Sequence, residues 1–370
     1  MKVLMLSKAC HVAAYRQKLE ELAQTFQVDL TLVVPPFWRV KKGWRLTLEP
    51  GHTQGYRMVV ANPLFNGSFH FHFYPSLPRL LEEVKPHILH IDEEPYDMVT
   101  LHALWHARRW KAKTLFFTWQ NINRLFPPPF FFFERYSFRH VDAAIAGNAD
   151  AARVLGQKGF TKRIFVIPQF GVDETTYARQ PQDRGQDRIF RLAYVGRLVP
   201  EKGVQVLLDA LASLEGSWAL EILGDGPYKP ALEGKIKGLN LESQVTILAP
   251  IPSQEMPTYL SRLDALVLPS LTRPHWKEQF GRVLVEAMAC QVPVVGSDCG
   301  EIPNVIGQAG LVFPEGDATA LRQHLRRLMA QPSLRTELGR RGRERVLALY
   351  TQRHIAQQTH EVYLSLLLAK

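Results

Sequence analysis

The sequence predicts an α/β protein of two doubly wound domains, each a parallel sheet covered by helices. Three observations carry this expectation. At 370 residues the chain is long enough to build two cores rather than one. It opens with an apolar strand at 3–7, a helix over 15–26 and a second apolar strand at 28–34, which together make a βαβ unit. A second unit of the same kind lies far downstream: Ala265-Leu-Val-Leu-Pro-Ser270 reads as a buried strand, 280–289 carries apolar residues at helical spacing, and Pro293-Val-Val-Gly296 starts another strand. The division expected is a first domain over 1–175, a linker over 176–189, a second domain over 190–350 and a terminal helix over 351–370. The linker is placed where the chain turns polar and loses its apolar period.

In the first domain, the loop over 7–14 falls at the C-terminal edge of the sheet, where ligands of such folds bind. It carries His11, which is either an acceptor or phosphate contact or a helix-start residue without chemistry. Residues 37–75 look irregular and hold Trp38, Trp44 and Tyr56. Within them, alternation in Phe69-His-Phe-His-Phe-Tyr74 predicts a strand with His70 and His72 on one face. That spacing can hold a metal, but no further ligand is close in sequence, so a polar strand face is the expectation and no metal site is assigned.

A helix over 77–85 ends before Pro86, and the strand at 88–91 runs into Asp92-Glu-Glu-Pro95. Acidic residues just beyond a strand sit where ligands bind, which makes Glu94 a candidate for an acceptor hydroxyl. A helix over 97–109 precedes a strand at 114–121 that ends in Thr118-Trp-Gln-Asn121. The run 125–140 follows, with prolines at 127–129 that forbid an interior helical turn and four phenylalanines at 130–133. The stretch 130–139 can be a helix that packs into the domain core, or one that lies on a bilayer with help from Arg124, Arg135 and Arg139. Core packing is preferred, because four consecutive phenylalanines point to every side and cannot all face lipid. Strands at 141–146 and 165–168, with a helix over 151–158 between them, complete the domain.

The second domain starts with a strand at 190–195, the turn Gly196-Arg-Leu-Val-Pro-Glu-Lys-Gly203 and a helix over 204–214. Glycines at both ends and two cations, Arg197 and Lys202, suit a diphosphate, with charge from the side chains and N–H groups from the turn. A strand at 219–223 runs into Gly224-Asp-Gly-Pro227, a strand covers 245–251 and a helix 257–262. In the downstream unit, Glu278 and Glu286 are eight residues apart, at most about 12 Å along a helix axis. Two carboxylates that far apart do not work on one bond and are suited to gripping two ends of an elongated ligand. The backbone amides of Gln279, Phe280 and Gly281, at a helix start, favour an anion or sugar hydroxyls. A last strand at 311–313, a helix capped by Asp317 and a helical stretch over 333–370 broken near Tyr350-Thr351 close the chain.

Composition narrows the class. Hydrophobic residues at 46% and charged residues at 22% are ordinary for a globular protein, and no repeat or low-complexity tract is visible. The first apolar run is too short for a secretory signal, and no apolar stretch reaches the roughly 18 residues of a membrane span. Cys10, Cys290 and Cys299 are odd in number and lack ligand spacing, which fits a reducing, cytoplasmic compartment. A formal charge of +10 implies affinity for polyanions, and with no nucleic-acid recognition motif present the partner expected is an anionic substrate or peripheral contact with an anionic membrane surface.

The stretch Glu278-Gln-Phe-Gly-Arg-Val-Leu-Val-Glu-Ala-Met-Ala-Cys-Gln-Val-Pro-Val-Val-Gly-Ser-Asp298 resembles the nucleotide-sugar motif of the retaining family 4 glycosyltransferases, and the turn 196–203 is similar to that family's G-R-L-x-x-x-K-G. The resemblance implies the GT-B fold: two doubly wound Rossmann-like domains facing a cleft. It implies that Glu286 holds ribose hydroxyls, that Glu278 and the 279–281 backbone hold the donor sugar, and that Arg197 and Lys202 neutralise the diphosphate. Backbone near Pro250 and Ile251 would lie beside the base, with Gly196 and Gly224 lining the same site. No cofactor is implied, since the nucleoside-diphosphate sugar is itself substrate. An H-x-x-E-P corner in related transferases is similar to the one holding Glu94. Two departures stand out. Ala9 to Ala14 replace a common Gly-Gly pair, and Gln120 stands where relatives carry a histidine. Glutamine orients a hydroxyl but exchanges no proton.

The function expected is transfer of a sugar to a hydroxyl acceptor held near His11, Glu94 and Gln120. A GT-B epimerase or phosphorylase and a nucleotide-sugar-binding protein that has lost catalysis are the alternatives.

Overall fold

The structure, a computed structural model, describes residues 1–40, 45–180 and 189–368. Trp44 and positions 181–188 of the expected linker lie outside the described residues. The chain divides into two units. Unit 1 comprises Met1–Gly171 and Gln352–Lys370, and unit 2 is Val172–Thr351.

Unit 1 is built on seven parallel strands: β1 (Lys2–Leu6), β2 (Asp29–Val34), β5 (Arg57–Val60), β6 (Ile88–Ile91), β7 (Lys113–Thr118), β8 (Ala143–Ala146) and β9 (Arg163–Val166). A separate hairpin pairs β3 (Phe37–Arg39) with β4 (Arg45–Thr47). The helices are α1 (Gln17–Gln24), α2 (Leu77–Val84), α3 (Met98–Ala107), α4 (Phe130–His140) and α5 (Ala149–Gln157). The sheet order is β5-β2-β1-β6-β7-β8-β9. From β1 the chain winds outward one way, then returns to β6 and winds the other way, so the order reverses between β1 and β6.

Side-chain alternation explains why these strands are apolar throughout. Leu4 and Leu6 pack on one face with Leu77, Leu81 and Phe138, while Val3 and Met5 pack on the other with Leu19, Leu22 and Tyr363. α5 starts where Asn148 accepts from the Ala151 amide at 2.8 Å.

Unit 2 has six parallel strands: β10 (Phe190–Val195), β11 (Trp218–Leu223), β12 (Val245–Leu248), β13 (Ala265–Leu268), β14 (Val294–Ser297) and β15 (Leu311–Phe313), in the order β12-β11-β10-β13-β14-β15. Its helices are α6 (Val204–Leu211), α7 (Lys229–Gly238), α8 (Met256–Ser261), α9 (Arg282–Ala289), α10 (Ile302–Ile306), α11 (Ala318–Ala330) and α12 (Pro332–Leu349). The reversal here lies between β10 and β13. Asp317 caps α11 by accepting from the Thr319 and Ala320 amides, both at 2.9 Å. The helical stretch breaks at Tyr350, whose carbonyl is taken by the Val172 amide at 2.9 Å. The last helix, α13 (Gln352–Leu368), belongs to unit 1, where Tyr363 is fully buried and its hydroxyl lies 2.7 Å from Nδ1 of His90.

Several expectations are corrected. Residues 69–74 form no strand; Phe65 and Gly67 turn the chain at positive φ, and one isolated bridge, Leu64 to Phe73, is all the pairing described there. The span 37–75, expected to be irregular, supplies the hairpin and the edge strand β5. The four phenylalanines of α4 are not its core face: its buried residues are Glu134, Ser137 and Phe138, Phe132 is 60% exposed, and Phe130, Phe131 and Phe133 are half-buried. The units divide at Gly171 and Val172, ahead of the polar stretch, because Tyr177 is buried in unit 2 and the Arg343 guanidinium donates to the carbonyls of Tyr177 and Glu174.

Candidate functional site

Where the strand order of a doubly wound sheet reverses, the loops leaving the two central strands part and open a crevice beyond their C-termini. In unit 2 those loops begin at Gly196 and Pro269, and of the expected donor residues they bring Lys202 and Glu278 into contact. The Lys202 ammonium lies 2.6 Å from Oε2 of Glu278, and the Ser270 hydroxyl donates to the same oxygen at 2.9 Å. Lys202 also sits over the Trp276 ring, 4.9 Å from its centroid. Gly203 follows at φ +70°, and a Cβ there would stand 1.7 Å from the Pro269 carbonyl oxygen. Close approach of the two loops therefore requires glycine. Gly224 has the same role against Gly196, whose carbonyl oxygen would be 1.9 Å from an added Cβ. The turn at Cys299 to Glu301 is structural: Gly300 packs on the Glu278 carbonyl, which accepts from the Glu301 amide at 3.1 Å, and Asn304 donates to Glu301.

α9 begins at Arg282, two residues later than the helical spacing read from Phe280, with Gly281 as its N-cap at φ +74°. Gln279 and Phe280 are thus loop residues ahead of the helix, which places their amides before the first turn. Glu286 is buried within α9, its carboxylate 2.8 Å from the Arg282 guanidinium and bonded by the Tyr177 hydroxyl. Burial pushes its carboxyl up, against the pull of Arg282 and Tyr177. Arg197 is exposed, and its carbonyl accepts from the Tyr194 hydroxyl at 2.8 Å. Pro250 and Ile251 follow β12 in the loop beyond that strand's C-terminus.

In unit 1 the reversal lies between β1 and β6, and a dense polar cluster fills it. Ser7 donates to Asp92 at 2.6 Å, and Lys8 pairs with Glu93 and stands 3.8 Å from Asp97. His70 lies 2.7 Å from Asp97, and His72 3.8 Å from Glu93. The two histidines are thus matched to carboxylates rather than to each other. Burial would push the Glu93 carboxyl up, but Lys8 and His72 outweigh it and hold it down at about 2.

Glu94 accepts from the Thr118 hydroxyl at 2.6 Å and the Trp119 amide at 2.8 Å, so both its oxygens are engaged in fixing the loop after β7. Burial pushes its carboxyl up to about 7 despite those bonds. The Thr118 hydroxyl in turn accepts from the Gln120 amide N–H at 3.0 Å. Gln120 is held from the other side as well. Its Oε1 accepts from Lys158 at 3.1 Å, while Lys158 pairs with buried Glu134 at 2.6 Å. An ammonium on Oε1 fixes the amide's orientation, leaving Nε2 as a buried donor without a partner among the described residues. His11 turns back on its own loop, its Nδ1 2.8 Å from the Lys8 carbonyl.

Sequence reasoning missed Lys8, Asp97, Lys158, Ser270 and Tyr177. Lys8 and Ser270 each stand two residues beyond a strand that flanks a reversal, so the topology, once drawn, would have pointed to them.

Comparison with known proteins agrees with this fold. The profile of the group 1 glycosyl transferases matches residues 178–345, and that of Glycosyltransferase Family 4 matches residues 13–174. The chain is 28% identical over 294 residues to the alpha-maltose-1-phosphate synthase of Mycolicibacterium smegmatis, covering 72% of each. It is 32% identical over 188 residues to that organism's GDP-mannose-dependent alpha-(1-6)-phosphatidylinositol monomannoside mannosyltransferase, covering 47% of this chain and 49% of the relative. The fold matches sucrose-phosphate synthase from Thermosynechococcus elongatus (TM-score 0.75, 20% identity, all of both chains) and Anabaena HepE in complex with UDP (TM-score 0.75, 18% identity, 99% of this chain and all of that one). With the two profiles between them matching both halves of the chain, the protein belongs to the family 4, group 1 glycosyltransferases, nucleotide-sugar-dependent enzymes of the GT-B fold.

Proposed function

We propose that the chain transfers a sugar from a nucleoside-diphosphate donor to a hydroxyl of a glycan, lipid or small molecule, with retention at the anomeric carbon and without a metal. The observation that carries this is the convergence of Lys202 and Ser270 on one carboxylate oxygen of Glu278 at the reversal of unit 2, in the loop that leads to the glycine opening α9. In this reading the donor's diphosphate takes Lys202 and exposed Arg197, and the sugar hydroxyls take Glu278 and the backbone before α9. Glu286, at the far end of an elongated ligand, takes the ribose. The bond from the anomeric carbon to the diphosphate breaks with its electron pair moving to the phosphate oxygen, and the two cations stabilise that charge. The acceptor oxygen bonds to the same face, and its proton passes to the departing phosphate.

Unit 1 supplies the acceptor side. Gln120, fixed by Lys158, offers an N–H donor and no proton exchange, and Glu94 holds the loop that carries it. The net charge of +10 supports peripheral contact with an anionic membrane on its cytoplasmic face. No helix among the described residues is long and apolar enough to cross a membrane.

Thermal-shift titration with UDP-, GDP- and ADP-sugars, without added metal, tests the donor half. One donor is expected to stabilise the protein increasingly with concentration, and Glu286→Ala to abolish both that response and transfer while the protein stays folded. A response that survives in Glu286→Ala, or no response to any donor, refutes the assignment.

A further inference from the structure

Three stretches distant in sequence form one exposed aromatic surface on unit 1. The loop after β5 presents Phe65 (65% exposed) and Phe69 (59% exposed), and the segment into α4 presents Leu125 (87% exposed) and Phe132. Single exposed apolar residues need no explanation, but a joined set does. These are joined. The Phe69 ring lies 5.7 Å from Trp38 of the hairpin, Phe71 lies 5.0 Å from Phe130, and Phe131 lies 5.6 Å from Phe132. Asn66 binds the hairpin to the loop, donating to the Phe37 carbonyl at 2.8 Å and accepting from the Arg39 amide at 2.9 Å.

The charge on these stretches has one sign. Arg39, Arg45, Arg124, Arg135 and Arg139 are all exposed. The one acidic residue in 37–47, 62–76 and 122–140 is Glu134, which is buried and paired with Lys158. Two of the arginines lie over aromatic rings, Arg45 at 4.8 Å from Phe37 and Arg135 at 5.3 Å from Phe131, so the cations edge the apolar surface rather than standing apart from it. Aromatic and aliphatic side chains at the centre, arginines at the rim and no exposed acid form the complement of an anionic bilayer interface, with side chains entering the headgroup region and guanidinium groups meeting phosphate.

We propose that this surface, made by strands β3 and β4, the loop over 64–73 and the start of α4, seats the enzyme on an anionic lipid bilayer. The proposal rests on the transfer reading for its purpose. His70 links the two, its ring 5.0 Å from Phe130 and its Nδ1 bonded to Asp97 of the polar cluster, so the bilayer-facing surface borders the acceptor side. Contact of this kind is interfacial rather than spanning.

The test is flotation of the full chain with phosphatidylcholine vesicles and with vesicles that also contain phosphatidylglycerol, at low and high salt. The protein is expected to float with the anionic vesicles and not with the neutral ones. The combined variant Phe65→Ser, Phe69→Ser, Leu125→Ser and Phe132→Ser is expected to bind at least roughly tenfold more weakly, because each exposed side chain loses its apolar burial. Its thermal response to nucleotide should equal that of the wild type, showing that unit 2 is intact. Failure of the wild type to bind anionic vesicles overturns the proposal. So does binding that salt abolishes and the four substitutions leave unchanged, which would be the behaviour of any basic protein. A wild type that answers a nucleotide sugar but ignores vesicles sinks this inference alone; one that binds vesicles through these residues but answers no donor sinks the transfer reading alone.

Discussion

Substitution of Glu278 by glutamine separates the two halves of the donor reading. The ammonium of Lys202 and the hydroxyl of Ser270 both meet one oxygen of Glu278, with 19% of the lysine side chain and 9% of the glutamate exposed. At 2.6 Å, two unit charges in an effective dielectric of about 20 attract by roughly 6 kcal/mol, most of it offset by desolvation. A pair of this exposure falls between surface pairs, worth about 0–1 kcal/mol, and buried ones, whose breakage costs about 3–5 kcal/mol. Glutamine keeps an oxygen for both donors, so the fold should lose about 1–2 kcal/mol and the melting temperature a few degrees. Binding of the nucleoside diphosphate alone should be unchanged or tighter, because the anion competing for Lys202 has gone. Transfer should suffer, since a hydroxyl bond to a charged group is worth about 1.5–3 kcal/mol, or roughly a ten- to two-hundredfold fall in kcat/KM. Calorimetric titration with UDP, GDP and ADP, set beside initial rates with the matching sugar, reads both. A fall in diphosphate affinity that parallels the fall in rate refutes the reasoning, because Glu278 would then be serving the phosphates.

Two further expectations concern the scaffold. Gly203→Ala should destabilise unit 2 by roughly 3 kcal/mol or more, since the methyl adds a clash with the Pro269 carbonyl to the strain of positive φ; Gly159→Ala, with φ +84° and open space, should cost only about 1–2 kcal/mol, and equal melting temperatures for the two variants would contradict the packing argument. Glu94, raised to about 7 by burial, binds its proton more tightly in the folded chain than the unfolded value of about 4.3, so its contribution to stability is full below about pH 4.3 and falls as pH rises to 7, by up to about 3–4 kcal/mol. Urea unfolding of the wild type and of Glu94→Gln at pH 5 and pH 7 checks this, and a stability difference between the two proteins that does not change with pH would disprove it.

The sequence carried unit 2 more fully than unit 1, and the reason is physical. A diphosphate site is made by residues close in sequence, a turn of eight residues after one strand and a loop-helix unit after another, so Gly196 to Gly203 and Glu278 to Glu286 could be read as wholes. Even there, what joins them was hidden. Ser270 looks like the end of a strand, and Lys202 reaches Glu278 beside it only because β10 and β13 are neighbours at the point where the sheet order reverses. Unit 1 assembles its cluster from four loops, so Lys8, His70, Glu93, Asp97 and Lys158 have no common spacing to detect.

The alternation in 69–74 misled for a related reason. Period-two spacing signals a strand when one face has a sheet to lie on, but here the residues turn and find separate partners, Phe69 on Trp38, His70 on Asp97 and Phe71 on Phe130. The phenylalanine run at 130–133 was expected to pack into the core because four consecutive rings point to every side, but three of the four are only half-buried and other residues make the inward face. Glu134, Ser137 and Phe138 share the inward face at three- and four-residue spacing, and a polar pair, Glu134 with Lys158, occupies part of it. That inward pair is the one that fixes the Gln120 amide, while Phe132 stands exposed and Phe130, Phe131 and Phe133 are half-buried. One helix thus serves the acceptor side through Glu134 on its inner face, beside the core ring of Phe138, while its exposed residues, Phe132, Arg135 and Arg139, set an aromatic ring among cations, a division that a hydropathy pattern cannot convey.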